Sequence, residues 1–580
     1  MLIQTVADPF AGCRTAFWTN GGRHGQVGQD NRAMNASHGG APVQVVWFKR
    51  DLRVGDHAPL ARAAEAGPVL ALYLFEPELL ASPEWAPMHG QFVAEALREL
   101  EQALAALGIR LVTRHGEAVA ELERLHSGLP LGGLWSHEET GNRITFDRDL
   151  RVARWCHARG VRWVELRQDG VVRRLRSRDG WAERWNQTMG APVVRMPGRV
   201  VGARAHGHDG VGILGPSGLG MTSPVAPSGS YPVQKGGERV ARDVLDGFLS
   251  GRGVGYRAEM SSPVTAWTGC SRLSPYLAWG CISLRTVYHA ATARLDSLRL
   301  ERSAGNDVDR RWWGSLASFH ARLRWHCHFM QKLEDEPRVE FENFCRGYDG
   351  LREPFTDTDE GRRRLVAWTE GKTGFPMVDA CMRAVRATGW LNFRMRAMVM
   401  SFASYTLWLH WRPTALHLAR CFLDFEPGIH FSQAQMQSGT TGINTLRIYS
   451  PAKQVIDHDP HGVFIRHWVP ELADVPDTYL PAPERMSLAQ QGAAGCMIGL
   501  DYPRPVVDFR LATAEAKRRM HEARASEATR SEARRVYLRH GSRRRAGHRG
   551  SDADARLRDG LLGDARPCNP GGWFQPELLG

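Results

Sequence analysis

The feature that most constrains the fold is an alternation of short apolar runs with helical patterns after residue 42. Val43-Gln44-Val45-Val46-Trp47-Phe48 and Val69-Leu70-Ala71-Leu72-Tyr73-Leu74-Phe75 are rich in aliphatic and aromatic residues, and each is bounded by turn residues. They read as buried strands rather than as helices. A helical pattern over 59–66 separates them; a helix over 91–107, a strand over 110–113, a helix over 118–125 and a short strand at 134–135 follow. Strands separated by helices are joined by crossovers, so the sheet they form is parallel and covered on both faces. The region 43–201 is therefore predicted as an α/β, doubly wound, Rossmann-like domain.

Residues 202–235 are dense in Gly, Ser and Pro and read as a linker, and from residue 236 the pattern is almost wholly helical. Leu245, Phe248 and Leu249 mark one amphipathic face, while the run 395–411 is apolar on most sides and predicts a single core helix. A large all-α domain over 236–508 is the expectation. Residues 1–42 show no pattern and are read as a disordered extension, and 509–580 as a basic C-terminal tail, either a solvated helix or disorder.

Lysine and arginine number 75 against 62 acidic residues, a formal net charge of +13, which suits a polyanionic partner such as nucleic acid. The 10 cysteines include no C-x-x-C pair, which speaks against a zinc site or a disulfide framework and for a reducing, cytoplasmic setting. The start of the chain lacks a signal peptide's charged-then-apolar order. The longest apolar stretch is interrupted by Ser401, Ser404 and His410 and falls short of the ~20 residues a membrane span needs. A count of 19 Trp is high; it fits large cores, and equally redox relay or base stacking.

Several segments carry chemistry. Trp47 to Arg53 places cations and an acid after a strand's carboxyl end, where open α/β sheets bind ligands. His137 to Asn142 follows another strand in the same way. Cys270-Ser271-Arg272-Leu273-Ser274-Pro275 offers hydroxyls and amides at a helix start, a setting for an anion or for an ordinary Ser cap. In Phe319 to Phe329, His320 and Arg324 are four apart and share a helical face, suggesting a helix that lines a polar cavity rather than a metal site. Gly371-Lys372-Thr373 is not a P-loop, since position 366 is Val where a glycine is required.

The block Gly439 to Leu472 (GTTGINTLRIYSPAKQVIDHDPHGVFIRHWVPEL), together with EGKTGFPMVDACMR at 370–383 and TGWLNFRMR at 388–396, resembles the photolyase/cryptochrome family. The Trp47 to Arg53 run is similar to that family's opening segment, and the resemblance extends from Val43 to about Asp508. It implies FAD in the helical domain, blue-light chemistry, and an antenna chromophore of unknown identity in the α/β layer. Carried over by motif, the cofactor-binding residues are Tyr256, Cys270, Ser271, Arg272, Leu273, Ser274, Arg324, Arg396, Asp424 and Glu426, with Asp424 and Arg396 as an ion pair beside the flavin. His430 stands where the family has Asn near flavin N5, Trp411 matches the middle Trp of its relay, and His320 lies where an acid meets the substrate. Ala434 replaces the flavin-proximal Trp, so the usual relay is broken. The resemblance implies a monomeric, non-membrane DNA photolyase acting on UV pyrimidine photoproducts. The alternatives are a cryptochrome-type photoreceptor and, further off, a light-independent flavin protein.

Overall fold

Strand β1 (Val43–Phe48) is buried along its whole length, and its side chains divide between two cores. Val45 and Trp47 join one face with Leu70, Leu72 and Leu134; Val46 and Phe48 join the other with Ala71, Tyr73, Phe92 and Leu97. This division follows from the strand period of two and explains why the run is continuously apolar. The computed structural model describes residues 41–203 and 231–541. In it β2 (Val69–Phe75), β3 (Leu111–His115), β4 (Leu131–His137) and β5 (Trp163–Leu166) complete a five-stranded sheet of order β3-β2-β1-β4-β5, with every pair parallel. Strand β5 was not legible in the sequence because it is a half-buried edge of four residues with no continuous apolar run. The order in which strands are laid down reverses between β1 and β4, and the segments leaving their carboxyl ends face the helical part.

That part is built from helices, the longest of which, Arg311–Asp335, packs along Pro427–Ser438 through its centre. The apolar run expected as one core helix is not one. A helix Phe393–Ser401 passes into a π turn, Phe402–Thr406, and a new helix begins at Trp411. The break is marked by Trp408, which is left-handed, φ +57°, a conformation that cannot continue a helix. Arg352, fully buried, donates to the carbonyl of Ser404 at 2.9 Å and stacks 4.7 Å from the Trp408 ring.

Residues 509–540, read from the sequence as part of a basic tail, are two helices, Phe509–Ala525 and Glu527–His540, docked on the body. Their Ala516, Met520 and Val536 are buried with Phe344, Tyr348 and Tyr405. The dense arginine of this stretch masks the few side chains that dock it. The expected extension 1–42 lies outside the described residues up to residue 40, as do 204–230 of the expected linker and the end of the chain from residue 542.

The last helix is tied down by Glu336, which meets His540 at 2.5 Å and Arg535 at 3.2 Å and also contacts Arg338 and Arg539. Burial pushes the His540 imidazole down to about 4 despite its carboxylate partner, with Lys332 and Arg178 adding to the effect. Burial works to raise Glu336, but His540 and the arginines outweigh it and hold the carboxyl at about 2. Each folded value lies below its unfolded one. Docking is therefore fully stabilised above about pH 6.5 and weakens as the pH falls through the His540 window and then the Glu336 window. Amide exchange over 527–540, corrected for intrinsic rates, is expected to show less protection at pH 5 than at pH 7. Equal protection at both would disprove this linkage.

Candidate functional site

The loop after the short helix Ala266–Gly269 is where several predicted residues meet. Arg252 staples it, donating to the carbonyls of Thr268 at 2.9 Å and Cys270 at 2.8 Å, with the Ser271 carbonyl at 3.4 Å. Arg272 then turns left-handed, φ +61°, and packs its guanidinium against the rings of Trp267 (4.4 Å) and Trp390 (3.9 Å), which themselves meet edge-on at 4.9 Å. Its Nε donates to Gln234 Oε1 at 3.1 Å, whereas its buried Nη1 has no protein partner. Burial lowers the Arg272 guanidinium to about 9, the mark of a cation desolvated without a compensating carboxylate. The following helix, Ser274–Ala278, has only five residues; Leu273 occupies its N-cap and no side chain caps it, so the expected Ser-capped start is absent.

Around this cation stand the other groups. Tyr256 is buried against Phe248 and Phe319, with its phenol pushed up by burial, and both Cys270 and Arg322 lie within electrostatic reach of it. Burial likewise lifts the Cys270 thiol to about 12, so it is a neutral wall group. Arg396 and Asp424 form a two-pronged pair, Nη1 to Oδ1 at 2.9 Å and Nη2 to Oδ2 at 2.7 Å, with the guanidinium 4.0 Å from the Phe422 ring. The Thr388-Gly389-Trp390 turn serves both halves. Gly389, φ +77°, accepts from Leu423 N at 2.9 Å, and a Cβ there would come within 2.8 Å of Leu423 Cβ, while Trp390 stacks on Arg272.

His430 is partly buried, and loss of solvation lowers its imidazole to about 4, so it is neutral. Its Nε2 lies 2.8 Å from the carbonyl of Ala415 and so carries the proton, leaving Nδ1 as an acceptor. Glu426 Oε2 sits 2.9 Å from His326 Nε2. Burial opposes charge on His326, but the carboxylate raises it well above the usual imidazole range. Trp411 is fully buried, donates to Asn343 Oδ1 at 2.8 Å, and reaches His430 only through Phe431.

Two predicted residues are elsewhere. His320 meets Tyr288 edge-on, and Arg324 reaches Asn186 Oδ1 at 3.3 Å and the Trp185 ring, so both face the Trp181–Gly190 and Leu284–Ser303 helices. The helix turns Phe319, Arg322 and Trp325 towards Tyr256 and Phe393 instead. Arg322, which the sequence reading missed, is the cation on that face. Its three-residue spacing from both Phe319 and Trp325 is the signal that could have found it.

A further cavity opens at the carboxyl ends of β1 and β2, walled by Trp47, Lys49, Tyr73, Arg148, Trp279 and Phe425. Beside it Asp51 is held by His57 Nε2 at 3.0 Å and His137 Nδ1 at 2.7 Å. His57 Nδ1 accepts from Leu60 N, so its Nε2 is protonated and unavailable to a metal.

A profile of the DNA photolyase domain matches residues 44–179, and one described as the FAD binding domain of DNA photolyase matches residues 319–522. The chain belongs to the photolyase/cryptochrome family. Within that family it is 29% identical to a deoxyribodipyrimidine photo-lyase of Halobacterium salinarum over 84% of this chain and 100% of the relative. It is 27% identical to a cryptochrome DASH of Gloeobacter violaceus over 80% and 93% of the two chains. The crystal structure of a bacterial class III photolyase from Agrobacterium tumefaciens superposes with a TM-score of 0.71 at 25% identity, covering 85% of this chain and all of that one. In this chain a parallel five-stranded sheet precedes the helical part that the FAD-binding profile matches.

The residues present fit FAD. The unpartnered Nη1 of Arg272 is a buried donor awaiting an anion, and Arg322 adds a second cation on the facing helix. Tyr256, Trp390 and the Arg396–Asp424 pair would offer ring faces and a fixed charge to a bound flavin nucleotide.

Proposed function

We propose that this protein is a light-driven DNA photolyase that reverses UV-induced pyrimidine photoproducts. The observation that carries the reading is the buried Nη1 of Arg272, which has no hydrogen-bond partner, in the same domain as the fixed Arg396–Asp424 pair, a domain of photolyase type. When bound, reduced FAD supplies a photoexcitable one-electron donor. Arg272 and Arg322 hold the phosphate charge, and Tyr256 and Trp390 offer ring faces to the nucleotide. Arg396 and Asp424 present a preset field that needs no reorganisation when charge moves. His430 acts as a neutral acceptor through Nδ1, where the amide of an Asn would donate or accept.

The lesion is a base pair's width inside the duplex, so it is extruded to be reached, and the excess of cations suits the phosphate contacts that pay for this. The cavity at the strand ends, with Trp47 and Trp279 as stacking walls, is the proposed place for an antenna chromophore. A photoreceptor role is the second reading. It is favoured by Ala434 in place of an indole and by the docked terminal helices, which are a ready output surface.

The test uses chemically pre-reduced protein and oligonucleotides carrying defined cyclobutane dimers or (6-4) products, in blue light and in darkness. Light-dependent reversal of one lesion is the expected result. Bound, photoactive flavin without reversal of either lesion would replace the repair reading with the receptor reading.

A further inference from the structure

The segment Phe422 to Glu426 carries Asp424 and Glu426, yet much of what holds its backbone comes from outside the flavin-binding residues. Three side-chain donors from distant parts of the chain take three of its carbonyls. His89 Nε2 donates to Phe422 O at 2.9 Å, Trp279 Nε1 to Leu423 O at 2.9 Å, and Arg50 Nη1 to Phe425 O at 2.8 Å. The His89 tautomer is set by Ala86 N, which donates to Nδ1 at 3.2 Å and so leaves the proton on Nε2. The three donors also brace one another: Arg50 lies 4.6 Å from the Trp279 ring, and His89 packs 5.8 Å from the same ring. Arg50 follows β1 and His89 opens the Pro87–Ala106 helix, so two of the three belong to the α/β layer.

We infer that Arg50, His89 and Trp279 are positioning residues for Asp424, which hold its backbone so that the carboxylate keeps its two-pronged geometry on Arg396. This rests on the reading of Arg396–Asp424 as the charged pair of the flavin site. A two-pronged pair tolerates little displacement, since both N–H···O lines must be kept at once. The Asp424 peptide lies in a tight turn closed by Phe425 N donating to Phe422 O at 3.0 Å, with no helix or sheet ladder to fix it. Its neighbours' carbonyls are fixed by these donors, and a buried carbonyl that loses its donor moves to find another. The α/β layer thereby sets the charge geometry in the helical domain. Its anchors, Arg50, His89 and Trp279, also wall the cavity at the strand ends.

Trp279→Phe removes one N–H and keeps the ring; Arg50→Met removes the donor and keeps bulk; His89→Gln retains both a donor and an acceptor. Flavin affinity, the midpoint potential of the bound flavin, and amide exchange over 422–426 in flavin-free protein are measured for each, with Asp424→Asn as reference. Trp279→Phe and Arg50→Met are expected to weaken flavin binding about tenfold, shift the potential in the direction of Asp424→Asn, and speed exchange at 422–426. His89→Gln is expected to match the parent in all three. Parental potential and exchange in Trp279→Phe and Arg50→Met, with Asp424→Asn altered, would overturn the positioning role. Should Asp424→Asn also match the parent, the reading of the pair falls first and this inference with it. Exchange in flavin-free protein reports the backbone directly, so a variant with poor flavin retention still decides the matter.

Discussion

Asp424→Ala is expected to cost about 3 kcal/mol of stability and to yield protein with about a tenth of the parental flavin. The Asp424 side chain is 4% exposed and Arg396 26%, so removing the carboxylate strands a mostly buried guanidinium. Breaking one partner of a buried pair is costlier than the pair is worth, because the remaining charge keeps its desolvation penalty. Partial exposure of Arg396 lets water recover some of that cost, which is why the estimate sits at the low end of the usual range. The denaturant midpoint and the flavin-to-protein absorbance ratio measure the two effects. Parental values for both would show that the pair is neither a structural nor a cofactor contact.

Arg272→Ala is expected to weaken flavin binding about a hundredfold while leaving the flavin-free protein close to its parental melting temperature. The two halves of this expectation have separate causes. A charge-assisted hydrogen bond from Nη1 to a phosphate is lost in the bound form, whereas in the free form that atom has no partner to lose. The stacking on Trp267 and Trp390 disappears, but so does the burden of a buried cation whose guanidinium is lowered to about 9. Titration of flavin-free protein with FAD, alongside thermal unfolding without it, separates the terms. Full flavin retention would sink the assignment, and a large fall in melting temperature with unchanged affinity would make Arg272 a structural residue. Lysine at this position is not expected to rescue, because an ammonium lacks the planar face that stacks on the two indoles and the fork that can bond Gln234 and an anion at once.

Some properties of this protein are determined by its sequence alone. Strands β1 and β2 are legible because both faces of each are buried, which forces uninterrupted apolar runs, and the order of strand, helix and strand then dictates parallel pairing. The Arg396–Asp424 ion pair was legible from motif resemblance, and TGW at 388–390 makes local sense in that only glycine fits at 389. Other properties were decided by the tertiary structure. Which face of the Arg311–Asp335 helix meets Tyr256 depends on how that helix is rotated, and a pattern with cations on both faces does not specify a rotation. Arg322 took the place expected for Arg324 for that reason. The end of the 393–406 segment at Trp408 and the docking of 509–540 are likewise set by contacts with Arg352 and Glu336, residues distant in sequence. The donors on Phe422, Leu423 and Phe425 come from as far as residue 50. Local patterns encode what neighbouring residues do to one another; convergence of distant side chains on one carboxylate is encoded only in how the layers pack.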